Sequence, residues 1–254
     1  MKNLAPIIIA FFLIFNQGNV FCFEAIEDNS MYIEEAYNQE FRVVQHIFNC
    51  SIFSKPEKSK AFTFTQEWPL IGQDIQFSYM IPYSAIGDNS GIGDAMINFR
   101  YQALMNEKIA CSPRLSYVSK SGNASKGLGN GSNGIEACIP LSCVLAERFA
   151  MHFNIGSTHF FKMQATKKSM TNLFAGFSGV YHFSETFDLM LENMMYIQDM
   201  GDAKVKTYIV SPLIRYAINI DKLQIVPMIG MPIKLSSNKP DFGAAIYLSF
   251  EHPF

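Results

Sequence analysis

The stretch that most constrains this chain is its carboxy-terminal one, residues 242–254. Phe242, Ala244, Ile246, Leu248, Phe250, His252 and Phe254 fall on one face of an extended strand, and Gly243, Ala245, Tyr247, Ser249 and Glu251 fall on the other. One face is oily and the other small or polar, so the strand needs apolar surroundings on one side and a polar interior on the other.

The same alternation recurs upstream about every twenty residues, the period of a strand plus its connection. Phe62, Phe64 and Gln66 alternate with Thr63, Thr65 and Glu67, and Ile75, Phe77, Tyr79 and Ile81 with Gln76, Ser78 and Met80. Ile97, Phe99 and Tyr101 oppose Asn98, Arg100 and Gln102, and Phe149, Met151 and Phe153 oppose Arg148, His152 and Asn154. A β-sandwich alternates too, so the connections decide. Short ones at residues 70–74, 105–108, 142–144, 183–185 and 219–222 are separated by longer ones rich in Gly, Ser, Asn and Lys, including residues 84–93, 119–133 and 157–169. Short turns at one end and long loops at the other predict an all-β fold, a transmembrane antiparallel up-and-down β-barrel of about twelve strands with both termini periplasmic. Closure is required, because in lipid only a closed sheet satisfies every backbone group.

Hydrophobic residues make up 49% of the chain, yet past the amino terminus no apolar run approaches the ~18–20 residues of a spanning helix. The apolar material is therefore spread by alternation. Lys2, the apolar run of residues 4–15 and the polar residues 16–19 have the layout of a secretory signal, with cleavage expected after Cys22. The expected organisation is signal peptide 1–22, an acidic periplasmic segment 23–40 and a barrel 41–254. A formal net charge of −2 gives no nucleic-acid footprint.

The inward face carries the candidate site. Glu67, Arg100, Arg114, Glu136, Arg148, His152, Asp188, Glu192, Arg215 and Glu251 are expected to line the lumen, most of them paired across it, since a lone charge in a narrow barrel is costly. Segment 23–40 mixes Ile26, Tyr32, Ile33 and Tyr37 with acids able to meet Arg100, Arg114, Arg148 or Arg215, and is expected to enter the barrel as a plug.

Other motifs are bland. Gly129, Gly131 and Gly134 spell GxGxxG, but no strand-to-helix turn surrounds them, so they read as loop glycines and no cofactor is expected. The acidic residues 87–94 lack calcium-loop spacing and read as a turn. His46, His152, His159, His182 and His252 show no paired ligand spacing, so the sequence supports no metal site. Cys111 shares a face with Ile109 and Cys138 shares one with Glu136, opposite sides of a wall, which argues against a disulfide framework. Thr171 to His182 and Leu223 to Met231 are the weakest strands, one with mixed faces and one holding Pro227, where a bulge is expected.

The last strand, apolar at alternate positions and closing on an aromatic, resembles the signal read by the bacterial barrel-assembly machinery, with Phe250 and Phe254 carrying it. Residues 34–40 and 43–49, FTQEWPLIGQDIQFSYMIPY at 64–83, and SGIGDAMINFRYQAL with GLGNGSNGIEACIPLS at 90–104 and 127–142 together resemble the outer-membrane family named for the MetA pathway of phenol degradation, distantly like the fatty-acid and toluene channels. The resemblance implies a Gram-negative outer-membrane barrel in contact with lipid that passes small hydrophobic or aromatic compounds, and it implies no enzyme. A non-conducting structural or adhesive barrel, or a lipid hydrolase built on His152, are the other readings the residues leave open. An enzyme would need a nucleophile beside His152.

Overall fold

The computed structural model describes residue 26 and residues 28–54, 58–163, 168–199, 204–235 and 240–254; the expected signal peptide lies outside these. The described residues form twelve antiparallel strands in one closed sheet. β1 is Val43–Phe53, β2 Ser59–Ile71 and β3 Ile75–Ile86. β4 comprises Asn89–Ile92, Met96–Tyr101 and Leu104–Met105, and β5 comprises Ile109–Cys111 and Arg114–Val118. β6 is Gly134–Ala146, β7 Phe149–Phe160, β8 Met170–Ser184 and β9 Phe187–Asp199. β10 is Lys204–Tyr216 with Ile218–Ile220, β11 Leu223–Gly230 with Ile233–Lys234, and β12 Asp241–Phe242 with Ala244–Pro253. Each strand pairs with its neighbours in sequence, and β12 returns to β1 in a register running from Val43 opposite Pro253 to Ile52 opposite Ala244.

The distribution of side chains is inside out relative to a soluble domain. Phe99 is 50% exposed, Ile155 62% and Ile246 56%, whereas Arg215 and Glu192 are 1% exposed and Asp188 is fully buried. An apolar exterior around a charged interior suits lipid outside and a polar lumen within. No described helix is long and apolar enough to cross a membrane. Trp68 and Tyr79 on the outer face sit with centroids 5.6 Å apart beside Phe77, an aromatic cluster of interfacial type.

Several local expectations need correction. Residues 84–93 are not a long loop: β3 continues to Ile86 and turns at Gly87 and Asp88 straight into β4, with Gly87 at φ 54° supplying the left-handed conformation such a tight turn requires. The turn expected at 142–144 lies further on, at Glu147 and Arg148, because β6 runs to Ala146 and a bulge sits where Phe149 and Ala150 pair back. Arg148 is therefore exposed in a turn rather than on the inner wall. Pro227 does not break β11; the strand is interrupted beyond Gly230, where Met231 donates to the carbonyl of Pro212 at 3.1 Å. β8 is continuous. On its inner face a Cβ at Gly176 would lie 2.4 Å from the Asn193 carbonyl oxygen and 2.7 Å from the Ile33 side chain of the amino-terminal segment, so the position needs glycine.

Candidate functional site

The lumen has two unlike halves. The carboxy terminus, the start of β1 and most of the tight turns mark the periplasmic end, where the N–H of Phe254 donates to the Arg42 carbonyl at 3.0 Å. On that side, residues 28–40 run inside the barrel. The wall's backbone groups are spent on the sheet ladder, so the segment's own N–H groups must find side chains. Tyr32 and Ile33 donate to the Glu192 carboxylate at 3.1 and 3.3 Å, Glu34 to Asn154 at 2.7 Å, Ala36 to Ser142 at 2.8 Å, Asn38 to Gln102 at 2.9 Å and Gln39 to Gln76 at 2.6 Å. From residue 34 to 38 the donors come at every second position, the period of an extended segment, each meeting one inward polar residue of a different strand.

Arginines take the segment's acceptors. Arg215 donates to the carbonyls of Asp28 and Ile26 at 2.9 and 3.0 Å, to Glu35 at 2.7 Å and to Asp188 at 2.8 Å, and Asp188 also meets His182 at 2.8 Å. Arg100 donates to the carbonyls of Glu35 and Tyr37 and to Ser112. The Asp28 carboxylate receives Gln45, Tyr247 and Ser249 from β1 and β12. Apolar packing complements these bonds: Met31 lies against a buried inner patch of Ile47, Val180, Met190, Leu213, Met228 and Tyr247. Glu67 accepts from Gln76 at 2.7 Å, and Glu251 lines a cavity of about 70 Å³ beside it, near Asn38 and Glu40.

Beyond the apex of the segment the lumen opens into a vestibule of about 550 Å³. Tyr32 and Glu34 are among the residues at its base, and Met96, Phe160, Phe174, Met194 and Tyr196 are among its walls. Arg114 is held between Glu34 at 2.6 Å and Glu136 at 2.9 Å, and Glu136 accepts from Thr158 at 2.5 Å. Burial pushes the Glu34 carboxyl up, but the guanidinium groups of Arg114 and Arg100 more than offset this and hold it below the ordinary carboxylate range. The loop 119–133 folds across the outer side: the Asp94 carboxylate accepts the N–H groups of Gly122 at 2.9 Å and Asn130 at 2.6 Å, bringing Leu128 to the vestibule. Gly129 belongs to that close approach, where a Cβ would lie 2.5 Å from Asp94. That is the structural use of the GxGxxG glycine.

Of the ten inward candidates, Arg148 is misplaced and the rest lie on the inner wall in the contacts given above or below. His152 meets Ser142, its ring Nδ1 2.7 Å from the hydroxyl and its Nε2 3.8 Å from the Glu35 carboxylate. Ser142, Gln102, Asn154 and Asp94 escape a search for charges because they are neutral or were read as turns; their inward parity is the signal that could have found them. Phe250 and Phe254 face outward, Phe254 67% exposed. The four cysteines beyond residue 25 are free, and no described set of three or more His, Cys, Asp or Glu is arranged to hold a metal.

Residues 57–249 match the family model for the MetA-pathway of phenol degradation. The chain belongs to that family. None of the curated proteins matches its sequence. Among solved structures it resembles an outer membrane channel from Pseudomonas putida F1, 12% identical with a TM-score of 0.64, over 86% of this chain and 98% of that one. It also resembles the NanC porin, 9% identical with a TM-score of 0.55 over 81% and 98%, and the KdgM porin in complex with oligogalacturonate, 9% identical with a TM-score of 0.51 over 84% and 99%. These likenesses establish the barrel fold. The apolar exterior of this MetA-pathway family member suits a barrel set in lipid.

Proposed function

We propose that this protein is a passive outer-membrane channel for small hydrophobic or aromatic compounds, closed on its periplasmic side by its own amino-terminal segment. The observation that carries this is the vestibule, about 550 Å³ in size, walled by Phe160, Phe174, Tyr196 and methionines and based on Tyr32 and Glu34 of that segment. This volume lies within the ~300–1,000 Å³ of small-molecule sites, where apolar walls provide affinity and a few polar groups orient the solute. The vestibule's charged groups are engaged with protein: Glu34, Arg114 and Glu136 with one another, and Asp94 with backbone N–H groups. A neutral solute is favoured over the acidic oligosaccharide bound by the KdgM porin.

A barrel enzyme finds some support in the alignment of Ser142, His152 and Glu35, which resembles a nucleophile, base and orienting acid. Burial argues against it. Ser142 is 0% exposed and its hydroxyl oxygen already accepts the Ala36 N–H, so no substrate carbonyl has an approach. We assign this trio to anchoring the segment. The test is uptake by a Gram-negative host poor in porins: expression should speed entry of a labelled monoaromatic alcohol and leave an acidic disaccharide unaffected. Uptake no faster than in the empty host would favour the structural or adhesive reading, and lipid hydrolysis abolished by His152→Ala would favour the enzyme.

A further inference from the structure

We propose that His46 and His252 form a binding site for a divalent transition-metal ion, Zn²⁺ in the first instance, that clips the first strand to the last across the barrel seam. The two residues are 206 apart in sequence, so no ligand spacing reveals them. Barrel closure brings them together: β1 pairs with β12 with His46 opposite Phe250 and Val44 opposite His252, placing both imidazoles diagonally on the outer face. Their ring planes lie 22° from parallel with centroids 5.4 Å apart, and their Nε2 atoms lie 3.3 Å apart.

That separation is the one a shared metal requires. Two imidazole nitrogens, each ~2.0–2.1 Å from a tetrahedral ion, are themselves about 3.3–3.4 Å apart. A second observation points the same way. The Nδ1 of His252 lies 2.9 Å from the carbonyl of Pro253, and a carbonyl only accepts, so Nδ1 carries the hydrogen and Nε2 presents its lone pair. A ligating histidine that donates its other ring N–H to a backbone carbonyl is the usual outer-shell arrangement of metal sites. Without metal, His46 donates its Nε2–H to His252. On binding, that proton moves to Nδ1 of His46, both rings stay neutral, and two lone pairs face the ion.

The surroundings decide the class of ion and the access to it. Both residues are partly exposed near the periplasmic rim, close to where Phe254 meets Arg42, and Phe64 packs on the far side of His46 with centroids 6.5 Å apart. Water from the periplasm completes the coordination. Paired imidazoles without carboxylates select Zn²⁺, Cu²⁺ or Ni²⁺ over Mg²⁺ or Ca²⁺, which want oxygen ligands. An ion bound only when the ends meet stabilises the closed barrel by mass action.

The experiment uses the mature chain refolded in detergent, stripped with chelator and titrated with ZnCl₂ by calorimetry, with thermal unfolding followed in parallel. One saturable zinc site per chain, a raised unfolding midpoint and no response to MgCl₂ are expected. His46→Gln and His252→Gln should each weaken zinc binding by at least about tenfold, a loss of the size that even outer-shell changes cause in metal sites. His159→Gln, which alters an exposed histidine elsewhere, should leave it unchanged. Heat-modifiable migration shows that each variant is folded; if one is not, zinc protection of His46 and His252 from diethyl pyrocarbonate in the unaltered chain replaces it. No saturable zinc binding, an affinity in both Gln variants unchanged from that of the unaltered chain, or no such protection would overturn the site.

Discussion

The periplasmic and outer halves of the lumen are enclosed by the same strands and differ in what meets them. In the periplasmic half, a polar wall meets a peptide segment, and side chains of the wall bond its backbone at position after position: Glu192 to Tyr32 and Ile33, Asn154 to Glu34, Ser142 to Ala36, Gln102 to Asn38. In the outer half Phe160, Phe174, Tyr196, Met96 and Met194 join Arg114, Glu136, Asn154 and Asn172 around a vestibule. One half holds a chain by its hydrogen-bonding groups; the other offers a solute aromatic and methionine side chains set among polar ones. The inner wall is thus divided by the kind of thing it touches, and the division falls at the apex of the segment, near Tyr32.

If that division is right, changes in the two halves should fail differently. The largest effect is expected at Arg215, which is bonded to Asp28, Ile26, Glu35 and Asp188 at once. Arg215→Met leaves two buried carboxylates without their cation, and breaking such a pair costs roughly 3–5 kcal/mol. It should lower the denaturant midpoint in refolding titrations and expose the amino-terminal segment to protease. A resistant segment would show that the polar half does not hold it.

A smaller effect is expected where neither half is involved. Phe99→Arg puts a charge on the lipid face at a 50% exposed position and should cost about 2–4 kcal/mol near the midplane. Asn172→Arg, at the vestibule, should be nearly neutral in the same titration. Equal costs at the two positions would mean that the assignment of the faces is wrong. Smallest is Phe174→Ala, which should weaken binding of a monoaromatic solute by up to about tenfold, the scale of one lost aromatic contact. Protease resistance of the segment should be unchanged; coupled loss of both would mean the halves are one unit.

Much of this was legible in the sequence, and the reason is the period of two. In the strand that ends at Phe254 and in that of Ile97, Phe99 and Tyr101, every position has the side its parity assigns, because lipid outside and water or peptide inside penalise a slip at every residue. Where the reading failed, something other than parity ruled. The β6 to β7 turn is offset by a bulge, which strands Arg148 outside. Residues 84–93 carry a loop's composition yet fold as a hairpin turning at Gly87.

In the site, segment 23–40 and the arginines were readable as opposite charges, and Glu34 with Arg114 and Glu35 with Arg215 are such pairs. Which carbonyls Arg100 holds was not readable, since backbone acceptors look alike in every sequence. Gln102 has only its inward parity to mark it, yet it bonds both Asn38 and Ala36 of the segment. The closeness of His46 and His252 depends on the first strand pairing the last, a long-range register that no local pattern contains.

The most direct test of the two-part lumen is single-channel conductance in planar bilayers of the full-length mature chain against a variant lacking residues 23–38. The wall's own ladder is closed from β1 to β12 without the segment, so the truncated chain should still assemble and migrate heat-modifiably. With its periplasmic half emptied, its conductance should rise severalfold above that of the intact protein. A truncated barrel that assembles and conducts no better than the full-length one would contradict the account.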